Sequence, residues 1–276
     1  MKVHDIVGGG GIRLHVREWG EKSAPPILFI HGWSQNHLCW TEQFTSELQE
    51  KFRLVALDLR GHGMSEAPAE PGQYTDGDKW ADDIAAVVEG LGLRRPLLVG
   101  WSYGGFIIAD YIRRYGQERI SGINFVAAAV VLGSKAFGPL IGPGFFEHAP
   151  GTFDSDLPTS ILAVRKFLHR CFVKPLSAGL FETALAFNMV VPAKVRAFLV
   201  QRELDFAPIL ANITVPVLVT HGRADTVVMP AMSDYILTHC PNAKTSWYDG
   251  VGHAPFLEEP RRFNRELAEF GGRAFG

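Results

Sequence analysis

A mostly parallel, doubly wound α/β sheet with a mainly helical insertion is the fold this sequence predicts. Short apolar runs at residues 26–30, 53–57, 97–100, 123–129 and 215–219 have strand length and suit strands covered on both faces. Segments of helical spacing separate them, and repeated strand-helix-strand units imply parallel pairing. The alternation stops at Gly133 and resumes near Val215. The predicted organisation is therefore a core of 1–132 and 207–276, with a helical cap insertion of 133–206 lying over the sheet.

Each element follows from a local pattern. Residues Val3 to Val7 and Ile12 to Trp19 alternate apolar and polar side chains around Gly8-Gly9-Gly10-Gly11, which reads as an antiparallel hairpin. Those glycines precede a strand rather than a helix, so they are a turn and not a phosphate cradle. Helical spacing is predicted over Cys39 to Glu50, and over Asp78 to Leu91 through Ile84, Val87, Val88 and Leu91. A helix follows Gly105 and runs through Arg114. In the insertion, Gly138-Pro139, Gly142-Pro143-Gly144, Pro150-Gly151 and Pro158 break the chain into loops and helices. After it come a helix near Pro230 to Thr238, a strand near Thr245 to Tyr248 and a helix after Pro255.

Composition narrows the functional classes. The 276 residues are 47% hydrophobic and 20% charged, with a formal net charge of −2, and the Lys and Arg residues are scattered. Nothing there offers the basic footprint that a nucleic-acid partner requires. The three cysteines, Cys39, Cys171 and Cys240, are far apart, which indicates neither a disulfide framework nor a zinc site. No apolar stretch reaches about 18 residues, and Met1 to Ile6 lacks an apolar leader pattern, so a cytoplasmic protein without membrane association is expected.

The chemistry concentrates at Gly100-Trp101-Ser102-Tyr103-Gly104-Gly105, where a strand turns sharply into a helix. A strained serine at such a turn needs neighbours without a β-carbon, and Gly100 and Gly104 supply them. The helix N-terminus beneath the serine favours developing negative charge. In open α/β sheets ligands bind beyond the carboxyl ends of the strands. The strand ends here deliver His31-Gly32-Trp33, Ser102, Asp225 and His253. Serine needs a base, and an imidazole oriented by a carboxylate is one near neutral pH. Ser102, Asp225 and His253 form that set, in the chain order of one of the known triad families.

These motifs, with Asp58-Leu59-Arg60-Gly61-His62-Gly63-Met64-Ser65, resemble the α/β-hydrolase-fold enzymes over nearly the whole chain. The similarity is to the broad group of carboxylesterases and cofactor-free haloperoxidase or perhydrolase relatives. The resemblance implies Ser102 as nucleophile, His253 as general base and acid, Asp225 as the residue orienting the imidazole, and the backbone N–H groups of Trp33 and Tyr103 as the oxyanion hole. A serine at the elbow separates the chain from the haloalkane dehalogenases, which place an aspartate there. The reaction implied is hydrolysis of a small, apolar ester or related acyl substrate, with no metal or organic cofactor.

Other residues are read more plainly. His31, His62, His221 and Asp58 are expected to brace loops near the site. Trp33 and Trp101 are the candidate substrate contacts. Nine phenylalanines between Phe137 and Phe198 make the insertion aromatic, which suits an apolar substrate. His148, His169 and Cys171 lack metal-ligand spacing and are taken as ordinary cap residues. Alternatives within the fold are C–C bond hydrolysis and perhydrolysis. His31-Gly32-Trp33-Ser34-Gln35-Asn36-His37 is also similar to the start of cofactor-free dioxygenases acting on hydroxyquinolones, although Trp101 and Tyr103 flank the serine where that group has histidines. A small-ligand receptor without catalysis is the non-enzymatic alternative. The oligomeric state is not indicated.

Overall fold

The computed structural model describes residues 1–133 and 137–276. Residues 134–136, which fall inside the expected cap insertion, lie outside the described residues. The described residues form ten strands: β1 (Lys2–Val7), β2 (Arg13–Trp19), β3 (Pro26–Ile30), β4 (Arg53–Leu57), β5 (Leu97–Trp101), β6 (Gly122–Val126), β7 (Val131–Leu132), β8 (Leu204–Asp205), β9 (Val217–Gly222) and β10 (Ala243–Tyr248). Eight form one sheet in the order β1-β2-β4-β3-β5-β6-β9-β10. The β1–β2 and β2–β4 pairs are antiparallel and the remaining pairs parallel. Strand order reverses between β3 and β5, which makes their carboxyl ends the topological switch point where ligands bind in such sheets.

The parallel strands β3, β4, β5 and β6 are buried along their whole length, as continuous apolar runs require. Alternate residues face opposite layers. Leu28, Ile30, Val55 and Leu98 pack with helices Gly77–Gly90 and Gly104–Tyr115, whereas Ile27, Phe29, Leu54 and Val99 pack with Phe263, Leu267 and Phe270 of helix Pro260–Phe275.

Between β6 and β9 the chain forms helices Leu157–Cys171, Ala178–Val190 and Ala193–Leu199 with shorter helical turns before them. The antiparallel pair β7–β8 closes the base of this excursion. Proline at the start of helix Leu157–Cys171 and the Asp156 carboxylate, which accepts from Thr159 N at 3.0 Å, fix where that helix begins. Among the described residues, no helix is long and apolar enough to cross a membrane.

One expected helix is broken. Residues Cys39 to Glu50 form a 3₁₀ turn (His37–Trp40) and two single-turn helices, Thr41–Phe44 and Leu48–Lys51. The cause is local: Thr45 Oγ1 donates to Thr41 O at 2.9 Å and Ser46 Oγ to Gln43 O at 2.7 Å. Hydroxyls that bond back to the preceding turn compete with continuation of the helix.

The glycine turn after β1 is tied to a buried ion pair. Arg60 donates from Nε to Asp83 Oδ2 at 2.8 Å and from Nη2 to Asp83 Oδ1 at 2.7 Å, and both side chains are fully buried. The guanidinium also reaches the carbonyls of Gly9, Gln73 and Lys79, while Gly9 N donates to Asp83 Oδ1. Burial pushes the Asp83 carboxyl up, and Arg60 acts against that rise. Removing one partner of such a pair strands a buried charge. We expect Arg60→Met to lower unfolding stability by about 3–5 kcal/mol, measured by guanidinium denaturation; a change below about 1 kcal/mol would contradict a structural role for the pair.

Candidate active site

Ser102 follows β5 directly and adopts φ 53°, a left-handed conformation unusual for a residue with a β-carbon. Its backbone is held on both sides of the peptide: Ser102 N donates to Val126 O at 3.0 Å, and Ser102 O accepts from Gly105 N and Ala129 N, each at 2.9 Å. A β-carbon on Gly100 would lie 2.6 Å from Ile108 Cδ1, and one on Gly104 would lie 2.6 Å from Ile30 O. The glycines therefore permit the close approach of strand and helix that the turn demands.

His253 and Asp225 meet at the carboxyl ends of β9 and β10. His253 Nδ1 lies 2.7 Å from Asp225 Oδ2, and since a carboxylate only accepts, Nδ1 is the donor of this bond. The same Oδ2 lies 3.0 Å from His221 Nε2, and Oδ1 accepts from Val227 N at 2.8 Å and Val228 N at 3.1 Å. Burial pushes the Asp225 carboxyl up, but the charge of His253 and the hydrogen bonds from His221 and His253 outweigh it, bringing the group down to about 2. Asp225 is a carboxylate at any pH near neutrality. The backbone of His253 is pinned as well: its N–H donates to Cys171 O at 2.8 Å and its carbonyl accepts from Trp101 Nε1 at 2.8 Å.

Ser102, His253, Gly32, Trp33, Trp101 and Tyr103 border one cavity, together with Phe106, Ala129, Leu132, Phe137, Ile141, Phe145, Phe167, Val200, Val227 and Val228. Gln35 and Cys171 also line it, and among the described residues His253 is the one titratable lining side chain besides the buried thiol and the Tyr103 phenol. Burial pushes both of those groups up, so both stay neutral. The N–H groups of Trp33 and Tyr103 have no hydrogen-bond partner among the described residues. Ser102 Oγ makes no hydrogen bond to the imidazole in this structure, a contact that in free enzymes is often long and tightens with substrate.

The loops that carry these groups are braced by histidines. Leu59 N donates to His31 Nε2 at 3.0 Å, Ser34 N to His62 Nε2 at 3.3 Å, and Asp58 Oδ1 accepts from both His37 N and His37 Nδ1, at 2.8 and 2.7 Å. Asp58 thus joins the loops after β3 and β4. Burial raises its carboxyl, and hydrogen bonds led by His37 hold it below the usual range. His15, His37 and Asp58 have donor atoms within 4.8 Å of one another, a spacing compatible with a metal. Those atoms are already engaged, Asp58 Oδ2 by Met64 N and His15 Nε2 by Arg17 Nε, and the cluster lies outside the cavity.

Gln35, Cys171, Val227 and Val228 join the cavity lining beyond the residues expected there, and His221, expected to brace a loop, also contacts Asp225. A Cys171 carbonyl holding His253 leaves no sequence signal, because any residue supplies a carbonyl. Val227 and Val228 were findable, since the two residues after an acid at a strand end form its turn.

This fold and this arrangement at the strand ends define the class. Residues 25–260 match the family model described as alpha/beta hydrolase fold, and the chain belongs to that family. A bifunctional esterase/perhydrolase from Acinetobacter calcoaceticus is 31% identical over 94% of this chain and 96% of its own length. A non-heme haloperoxidase from Rhodococcus erythropolis is 30% identical over 96% of this chain and 98% of its own. Among solved structures, a chain from Burkholderia cenocepacia described as an aryl esterase superposes with a TM-score of 0.94 at 35% identity, covering 99% of both chains.

The buried histidines make the site acid-sensitive. Burial and the neighbouring His62 bring His31 down to about 3, and burial brings His62 down to about 4 against its bond to Arg60 O. An unfolded imidazole takes up its proton near pH 6.5, and the folded one only at these lower values. Stability is therefore lost as pH falls from about 6.5 toward 4 and is regained as pH rises. We expect guanidinium denaturation to show a loss of about 2 kcal/mol per histidine between pH 7 and pH 5, reduced in His62→Gln. An unchanged midpoint across that range would contradict the assignment.

Proposed function

We propose that the chain is a serine hydrolase that cleaves a small, uncharged, apolar ester through an acyl-enzyme on Ser102. The observation that carries this reading is His253 Nδ1 at 2.7 Å from a buried Asp225 carboxylate, with Ser102 and two unpartnered backbone N–H groups around the same cavity. In this reading Ser102 Oγ attacks the ester carbonyl while His253 Nε2 takes its proton. The N–H groups of Trp33 and Tyr103 donate to the oxyanion, a contribution typically of about 3 kcal/mol per donor. Collapse expels the alcohol, protonated by His253. Water then attacks the acyl group, giving its proton to His253, and the acid leaves with Ser102 restored. Asp225 holds the imidazole in the required tautomer and stabilises its cation.

The segment 133–206 acts as the cap in this account, and Trp33 and Trp101 form the wall nearest the reacting carbonyl. Among the described residues the lining offers no Lys or Arg to an anionic substrate, and burying an unpaired charge there is costly. Perhydrolysis is a second reading, favoured by the esterase/perhydrolase relative. In it, hydrogen peroxide replaces water in the second step and the acyl group leaves as a peracid. The place in the cell proposed for this chemistry is the cytoplasm.

A fluorophosphonate probe followed by peptide mapping tests the nucleophile, with a single adduct expected on Ser102 and none in Ser102→Ala. Asp225→Asn is expected to lower kcat by about 10⁴-fold. Among p-nitrophenyl esters, neutral acyl chains should turn over at least about 100-fold faster in kcat/KM than a succinyl monoester of matched length. Full esterase activity in Ser102→Ala would overturn the reading.

A further inference from the structure

The short helix Ala193–Leu199 touches both residues assigned above to the oxyanion hole. Trp33 Nε1 donates to Arg196 O at 3.1 Å, and Tyr103 Oη donates to Leu199 O at 3.0 Å. The last four carbonyls of a helix have no partner within it. In this seven-residue helix Arg196 and Leu199 are among those four, so the side chains of Trp33 and Tyr103 complete the helix end. These two residues come from different parts of the core, one after β3 and one after β5, yet they are fastened to one element of the excursion between β6 and β9.

That element is itself anchored by a buried cation. Arg196 is 1% exposed, and its guanidinium donates to Thr152 O at 2.9 Å, Asn188 O at 3.0 Å, Val191 O at 2.7 Å and Ser160 Oγ at 2.8 Å. No carboxylate pairs with it among the described residues. One side chain therefore ties together the turn Pro150–Phe153, helix Leu157–Cys171 and the end of helix Ala178–Val190. Just beyond the helix, Arg202 Nη2 donates to Asp110 Oδ2 at 2.6 Å, fixing the exit of the segment to helix Gly104–Tyr115, which starts beneath Ser102.

We propose that helix Ala193–Leu199 is a positioning element for the oxyanion hole, with Arg196 as its anchor, so that the packing of the cap sets the two backbone N–H donors through Trp33 and Tyr103. The inference rests on the oxyanion assignment in the proposed function. A burial-driven fall to about 10 leaves the Arg196 guanidinium charged at neutral pH, which suits a hub that addresses carbonyls rather than an acid. Oxyanion donors act only when aimed at the developing charge, and a misplacement of about 1 Å can reduce rate by about 100-fold. Disturbing this helix should therefore appear in kcat and leave KM nearly untouched.

The test uses the full chain, an activated neutral ester, and a trifluoromethyl ketone analogue of that ester. Ser102 Oγ adds to the ketone carbon, its proton passes to His253, and the resulting hemiketal oxyanion occupies the same two-donor site. Tyr103→Phe removes only the phenolic hydroxyl, which donates to Leu199 O and also lies against the Arg202 guanidinium. Its expected effect is a kcat about tenfold lower and a ketone inhibition constant about tenfold weaker, with KM within about twofold of the wild type. Arg196→Met should show the same signature more strongly, Arg196→Lys a partial recovery, and the double variant Tyr103→Phe/Arg196→Met no more loss than Arg196→Met alone. Wild-type kcat and ketone affinity in folded Tyr103→Phe and Arg196→Lys, or losses confined to KM, would overturn the positioning role. Should Arg196→Met fail to fold, those two variants decide. A wild-type protein that neither hydrolyses the ester nor adds the ketone would instead sink the serine-hydrolase reading, and the positioning role with it.

Discussion

The backbone of Ser102 is held at φ 53°, a conformation that costs a residue with a β-carbon on the order of 1–3 kcal/mol, and the surrounding structure is arranged to impose it. Three backbone hydrogen bonds, to Val126 O and from Gly105 N and Ala129 N, fix the peptide from the neighbouring strand end and from the helix that follows. Gly100 and Gly104 remove the β-carbons that would meet Ile108 and Ile30. The outcome is a serine side chain lifted out of the sheet at the switch point between β3 and β5, beside the N-terminus of a helix. From there the loop after β3 supplies Trp33, and β9 and β10 supply Asp225 and His253.

Around this strained point three buried polar networks hold the loops. Asp225 accepts four hydrogen bonds, two from imidazoles and two from backbone amides. Asp58 does the equivalent work between the loops after β3 and β4, and Arg60 with Asp83 does it beneath the glycine turn. Unpaired buried polar groups are expensive, so each network holds its loops in one arrangement as well as stabilising them. At the cavity, by contrast, Ser102 Oγ and the N–H groups of Trp33 and Tyr103 have no hydrogen-bond partner among the described residues. Donors left open at a cavity are where a substrate can gain from supplying an acceptor.

Much of the fold was legible because both faces of the parallel strands are buried, which turns strand positions into unbroken apolar runs. The elbow was legible for a different reason: its glycines are demanded by close backbone approach, and glycine leaves a visible letter. The order of Ser102, Asp225 and His253 after the strands β5, β9 and β10 followed from the same alternation. What was not legible involves acceptors without identity. The carbonyls of Arg196, Leu199 and Cys171 that hold Trp33, Tyr103 and His253 could come from any residue. The helix expected over Cys39 to Glu50 failed because Thr45 and Ser46 bond backwards, a competition that apolar spacing does not register. His221 reached Asp225 through a turn of four residues whose geometry only the structure fixes.

The most direct measurement of the central claim is carbamoylation by a p-nitrophenyl dimethylcarbamate, because a carbamoyl-enzyme hydrolyses slowly enough to be counted. The account predicts release of one equivalent of p-nitrophenolate per chain, then near-arrest, with the carbamoyl group mapped to the peptide carrying Ser102. Continuous release without a covalent adduct, or an adduct on another residue, would contradict it.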